Sequence, residues 1–222
     1  LIEIRDYDNK IYSPKKIKIN KLVSKKNINK FKSSIIYENE DYLISNKWHD
    51  ISTQGTIKNK NSINDLIKNL SDKMNLVHRL DKDTTGALII AKNYKATRIF
   101  AKLFRERNVK KVYYALCLGM PKKNKGLIKI LIQKDIQKKL KYSNIRQESL
   151  THYEVVEKKH GLSSIIFFPL TGRKHQIRIV AKKLNCPIIG DKLYGKFQYQ
   201  NENIKINNFL MLHALSVSFK YN

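Results

Sequence analysis

Two short segments of this 222-residue chain crowd charge beside glycine and threonine between apolar runs. The first is His78-Arg79-Leu80-Asp81-Lys82-Asp83-Thr84-Thr85-Gly86, which feeds directly into Ala87-Leu88-Ile89-Ile90-Ala91. A dense polar loop abutting a buried strand is where a scaffold presents reactive groups. The second is Leu170-Thr171-Gly172-Arg173-Lys174-His175-Gln176-Ile177-Arg178, which leads from an apolar strand into a helix. On that helix His175 and Arg178 stand at i and i+3 and share a face. The chemistry on offer is that of carboxylate, imidazole and guanidinium side chains. On residue types alone, Asp81 capping a turn and Arg178 serving as a surface cation explain the same pattern equally well.

Other chemistries lack their signatures. There is no G-x-x-x-x-G-K-[ST] loop and no G-x-G-x-x-G, so nucleotide hydrolysis and dinucleotide cofactors are not expected. The six His and two Cys show neither C-x-x-C nor H-E-x-x-H spacing, so no metal site is expected. No G-x-S-x-G elbow occurs. The expectation is a reaction that needs neither metal nor organic cofactor.

The composition favours a polyanionic partner. Lys and Arg number 45 against 18 Asp and Glu, a formal net charge of +27. A/T-rich codons inflate Lys, Asn and Ile whatever their use, but an excess of this size still attracts nucleic acid. Hydrophobic residues make up 41% of the chain, too many for a disordered tail and enough to bury a core. No apolar run approaches the ~18 residues of a membrane helix, so no membrane partner is expected. Cys117 and Cys186 form no disulfide framework and point to a reducing compartment. A bacterial cytoplasm is expected, with an organelle matrix as the alternative.

The elements that must position these residues follow from periodicity. Ile35 to Tyr37 and Tyr42 to Ile44 read as short strands, and Ile63 to Leu70 as an amphipathic helix. Gly86 to Ala91 is a buried strand. A helix capped by Asn93 follows, with Ala96, Ile99, Phe100 and Leu103 on one face. Lys111 to Leu118, Ser149 to Val156, Ser163 to Phe168 and Leu210 to Phe219 read as strands, and His175 to Leu184 as a helix. Lys122 to Lys141 reads as a basic connector. Strands outnumber helices without regular alternation, so the fold class is α+β with a mixed, largely antiparallel central sheet. Residues 1–30 read as a basic extended arm, with nine basic residues and three acids, ahead of a single domain over residues 31–222. The chain opens on Leu1 rather than Met, which makes it a fragment or processed form by expectation.

Taken in order, the motifs resemble the RluA family of RNA pseudouridine synthases. His78-Arg79-Leu80-Asp81 with Thr84-Thr85-Gly86 is similar to that family's H-R-L-D-x-x-T-S-G signature. Asn46-Lys47, Lys111-Val112-Tyr113-Tyr114-Ala115-Leu116 and Thr171-Gly172-Arg173-Lys174-His175-Gln176-Ile177-Arg178 fall in the family's order. So do Pro187-Ile188-Ile189-Gly190-Asp191-Lys192-Leu193-Tyr194-Gly195 and Leu212-His213-Ala214. The wording around Asp81 resembles the RluC branch, which modifies large-subunit ribosomal RNA. Three places depart from the pattern. Trp48-His49-Asp50 replaces Pro-x-Gly after Lys47, Ile179-Val180 replaces Val-His, and Asn185 replaces a Gly.

The resemblance implies the pseudouridine synthase fold, an isomerase activity on specific uridines, no cofactor, an RNA partner and a monomer. Many members of the branch it resembles also carry an N-terminal S4-type RNA-binding domain. The first 30 residues are too short to be one and read as a remnant following it. Residue by residue, it places the catalytic carboxylate at Asp81, its guanidinium partner at Arg178 and a uracil-stacking ring at Tyr113. Arg79 becomes the residue that fills the gap left by a flipped base. Arg173, Lys174 and His175 become substrate contacts. His213 and both cysteines are read as packing. The competing readings are a catalytically silent RNA-binding or ribosome-assembly protein of the same fold, and a basic ribosomal protein, which accounts for charge but not for the polar motifs.

Overall fold

The computed structural model describes residues 24–55, 61–133, 146–195 and 209–221, with the backbone of Ile4–Arg5 (β1) and Ile11–Tyr12 (β2). β1 and β2 pair antiparallel as a separate ribbon. The remaining residues before Ser24, including most of the expected basic arm, lie outside the described residues. From Lys25 onward that reading is corrected. Lys25–Ser33 is a helix (α1), capped by Ser24 and anchored by fully buried Phe31.

A nine-stranded sheet forms the body of the protein. Its strands are Ile35–Glu38 (β3), Tyr42–Lys47 (β4), Asn75–Leu76 (β5), Thr85–Ala91 (β6), Lys110–Leu118 (β7), Lys125–Gln133 (β8), Arg146–Lys159 (β9), Leu162–Pro169 (β10) and Leu212–Ser218 (β11). They run in the order β3-β4-β6-β11-β7-β10-β9-β8, with β5 also on β6. Only the β11–β6 pair is parallel among the ladders, so the α+β, largely antiparallel expectation holds. The basic connector is corrected in part, because its residues 125–133 are β8. Residues 134–145 lie outside the described residues.

Three more helices flank the sheet: Ile63–Leu70 (α2), Tyr94–Arg105 (α3) and Gln176–Lys183 (α4). Ser62 and Asp65 form a reciprocal capping box on α2, and the Asn93 side chain accepts from the Ala96 N–H to start α3. β6 is buried on both faces. Leu88 and Ile90 pack with α1 and α2, whereas Ile89 and Ala91 pack with Ala96 and Phe100 of α3. That double burial accounts for its unbroken apolar run. A separate core joins β7, β10 and α4 through Ala115, Ile165, Phe167, Ile177 and Val180. The parallel start of β11 against β6 needs a glycine. A Cβ on Gly86 (φ +107°) would lie 2.3 Å from the Ala214 carbonyl oxygen. This close approach fixes the end of the loop that carries Asp81.

Candidate active site

Asp81 sits in the β5–β6 loop, and the backbone on both sides of it is pinned. Before it, Leu80 plugs into the core. Its N–H donates to Thr53 Oγ1 (3.0 Å) and its carbonyl accepts from the same hydroxyl (2.7 Å). After it, the Lys82 carbonyl accepts from Lys47 Nζ at 2.9 Å. Lys47 is fully buried and spends its other protons on the carbonyls of Ile51 (2.9 Å) and Trp48 (3.1 Å). Burial lowers its pKa to about 8 against the opposing pull of Asp83, Asp81 and Asp50. The Thr84 N–H closes the turn on the Asp81 carbonyl at 3.1 Å. The loop is therefore held by Lys47 and Thr53 from outside as well as by its own turn.

His78, three residues upstream, fills a gap in the sheet. β11 pairs with β6 at Thr85 and Gly86, and β5 pairs with it at Ile90 and Ala91. Between them the Ile89 N–H donates to His78 Nε2 at 2.8 Å, and the ring stacks on Phe104. Burial lowers the His78 pKa to about 3, with the charge of Lys111 adding to the effect. The ring is therefore a neutral acceptor at neutral pH.

Facing the loop is the turn that enters α4. Gln176 organises it with all four of its hydrogen bonds. Its Oε1 accepts from Thr171 Oγ1 (2.8 Å) and the Arg173 N–H (2.9 Å). Its Nε2 donates to the Leu150 carbonyl and Thr151 Oγ1, both at 2.9 Å. His175 takes a left-handed conformation (φ 53°) at the helix entry and points its Nε2 to 3.9 Å from Asp81. Its Nδ1 lies 3.1 Å from the Tyr194 hydroxyl. Burial lowers the His175 pKa, although the Asp81 charge works the other way.

The expected Arg178–Asp81 pair is only partly present. Arg178 spends its fork on Asp191, with Nε to Oδ2 at 2.8 Å and Nη2 to Oδ1 at 2.6 Å. Nη1 alone approaches Asp81, at 3.9 Å. Burial works to raise the Asp191 pKa, but the Arg178 bonds and the N–H groups of Tyr194 and Leu193 (both 2.9 Å) outweigh it and hold the carboxyl low. Gly190 makes this turn geometrically accessible. Its φ is +77°, and a Cβ there would sit 1.9 Å from the Phe209 carbonyl oxygen. Asp191 thus fixes the guanidinium and leaves Asp81 beside a cation without a tight bond to it. Residue types did not reveal that Asp191 holds Arg178 or that Lys47 holds the Asp81 loop, although both lie within the motifs quoted above.

Tyr113 of β7 pairs with Ala214 and Phe167 on its two sides and packs against both main cores. Burial, with the nearby Asp81 charge, raises its pKa well above the usual phenol range, so it remains a neutral hydroxyl. Tyr114 turns to the opposite face, where its hydroxyl bonds Ser164 Oγ at 2.8 Å. His213 spends Nδ1 on Thr85 Oγ1 at 2.7 Å, and Cys117 and Cys186 are buried free thiols.

Asp81, Tyr113, Arg178, Arg79, Arg173, Lys174 and His175 all line one cleft of about 900 Å³. Arg79 is exposed on the rim, and Arg173 anchors its Nε on the Glu148 carbonyl at 3.1 Å. Asp81 is the sole carboxylate among the described residues lining it, against seven Lys and Arg. Among the described residues no three His, Cys, Asp or Glu side chains converge as metal ligands, and no helix is long and apolar enough to cross a membrane.

The ribosomal large subunit pseudouridine synthase C of Rickettsia prowazekii (strain Madrid E) is 37% identical over 191 residues, covering 82% of this chain and 62% of the relative. The protein of the same name from Buchnera aphidicola subsp. Baizongia pistaciae (strain Bp) is 37% identical over 216 residues, 93% of this chain and 67% of that one. The chain therefore spans less than two thirds of the length of the Rickettsia relatives. Among solved structures, human RNA pseudouridylate synthase domain containing 1 superposes with a TM-score of 0.68 at 27% identity, covering 83% of this chain and 77% of that one. Human RNA pseudouridylate synthase domain containing 4 superposes with a TM-score of 0.72 at 24% identity, covering 86% of each chain, and shares the fold. The family model for RNA pseudouridylate synthase matches residues 41–183, a span holding Asp81, Tyr113, Arg178, Arg79, Arg173, Lys174 and His175, and the chain belongs to that family.

Proposed function

We propose that this chain is an RNA pseudouridine synthase that isomerises uridines of large-subunit ribosomal RNA. The observation that carries the reading is a lone carboxylate, Asp81, pinned on both sides at a cleft otherwise charged by Lys and Arg. The cations suit a polyanion, and the carboxylate suits the one step that charge alone cannot perform. In that step the C1′–N1 bond of uridine breaks, the uracil turns, and a C1′–C5 bond forms. The C5 proton leaves to solvent and N1 acquires one, so the reaction balances without redox or an added group.

Asp81 acts at the sugar–base junction, with Arg178 Nη1 3.9 Å from its carboxylate. Tyr113 stacks on the uracil, and its hydroxyl offers a protic relay for the C5 proton. Arg79 fills the stack vacated by the flipped nucleotide. Arg173, Lys174 and His175 hold the RNA without reading its sequence. The names of the relatives support the large-subunit ribosomal target.

The reading is tested by mapping pseudouridines in total RNA from cells with and without the gene. It expects at least one large-subunit ribosomal position to lose its pseudouridine. Loss confined to transfer RNA contradicts the target. Loss nowhere favours the silent RNA-binding alternative.

A further inference from the structure

Arg107 and Lys111 are neighbouring cations of the cleft, and neither is paired with a carboxylate among the described residues. Arg107 lies in the turn after α3, closed by the Asn108 N–H on the Leu103 carbonyl at 2.8 Å, and its backbone is left-handed at φ 60°. Its side chain is exposed and has no ion pair or hydrogen bond among the described residues. Lys111 follows at the start of β7. Its Nζ reaches one acceptor, the Thr171 carbonyl, at a long 3.4 Å, which leaves protons of the ammonium unspent. The neighbouring acid, Glu106, lines a different groove, and both Arg107 and Lys111 line the active cleft.

We propose that Arg107 and Lys111 together hold one backbone phosphate of the RNA strand that carries the target uridine. This rests on the reading of the cleft as a uridine site and adds a place for the adjoining backbone. Lys111 and Tyr113 are two residues apart on one strand, so their side chains leave the same face about 7 Å apart. A base stacked on Tyr113 therefore carries its own or the next phosphate toward Lys111. Burial lowers the Lys111 pKa and the charge of Arg107 lowers it further, with no carboxylate opposing either. Two like charges that line one cleft and act on each other gain from an anion bound by both.

The test is fluorescence anisotropy of a fluorescein-labelled oligouridine with the full chain, across salt from about 50 to about 200 mM, where phosphate contacts set the slope. Arg107→Gln and Lys111→Gln should each weaken binding, and only the double variant should lose the full slope of about 0.7 in log affinity against log salt, the value for one single-strand phosphate. Because the two share that phosphate, either cation alone still holds it, and each single variant should lose less slope than the double. A drop of about 1.4 in the double variant overturns the shared subsite, and unchanged affinity in Arg107→Gln overturns the contact. Arg107 is exposed, so that variant remains informative even if Lys111→Gln misfolds. Wild type that binds oligouridine without any salt dependence overturns the cleft reading itself, a result distinct from both.

Discussion

The two sides of the cleft treat their arginines in opposite ways. On the α4 side, Arg178 is buried, its fork is closed on Asp191, and its guanidinium lies 5.1 Å from the Tyr194 ring centroid. On the α3 side, Arg79, Arg105 and Arg107 are exposed and have no ion pair among the described residues. A buried guanidinium must be paired, because stranding it costs several kcal/mol, whereas exposed ones lose little by waiting for a ligand. The closed pair fixes geometry, and the open cations carry charge that no described carboxylate pairs. Asp81 lies at the boundary between them. Asp191 satisfies Arg178, so Asp81 is oriented without being consumed in a salt bridge.

Breaking the closed side should have the largest effect. Asp191→Asn leaves the Arg178 guanidinium buried without its carboxylate and should cost about 3–5 kcal/mol in urea unfolding. Arg178 is then free to swing onto Asp81, so turnover should fall even in the folded fraction. Lys47→Met comes next. It strands three carbonyls but also removes a buried cation, so the net loss should be about 1–3 kcal/mol, with turnover falling more than RNA affinity because the Asp81 loop loosens. On the open side, Arg79→Ala should slow a structured RNA by about 10- to 100-fold and an unstructured strand only a few-fold, because the strand has already lost its stacking. Equal slowing of both RNAs returns Arg79 to bracing the loop.

The smallest effect is in pH. His78 takes a proton near 6.5 when unfolded but only near 3 when folded, so the unfolded chain binds more protons between those values. Stability from this ring is complete above about pH 6.5 and is lost on acidification, by up to about 1.4 kcal/mol per pH unit. Wild type should therefore lose more stability between pH 7 and pH 5 than His78→Asn does. Equal slopes contradict the assignment of this ring.

Much of this was legible in the sequence where period and spacing are local. The α2 bounds, the Asn93 cap and the burial of β6 all follow from short-range pattern. β8 was hidden because Lys125 and Lys129 give its apolar residues the look of a basic connector. In the structure Lys129 sits on the exposed face, paired with Glu148 across the ladder. α1 was hidden because only Ile28 and Phe31 interrupt its polar run, too few to show a helical period. Two departures from the family pattern keep the backbone they replace. Asp50 (φ 65°) and Asn185 (φ 56°) stand where glycine is usual and adopt the left-handed conformation that Asp and Asn tolerate best. In the site, the motifs named Asp81, Tyr113 and Arg178, but the tight partner of Arg178 was not readable. Asp81 and Asp191 lie at different separations from Arg178 along the chain, and only the fold decides which carboxylate closes on it.

The proposed function assigns the chemistry to Asp81, with Arg178 orienting it and the exposed cations binding RNA. Its most direct test is tritium release from [5-³H]uridine-labelled large-subunit ribosomal RNA, measured in single turnover for wild type and Asp81→Asn, alongside RNA affinity. Wild type should release tritium and Asp81→Asn none, with affinities equal within a few-fold, since the substitution is nearly isosteric. Release by Asp81→Asn near the wild-type rate contradicts this assignment.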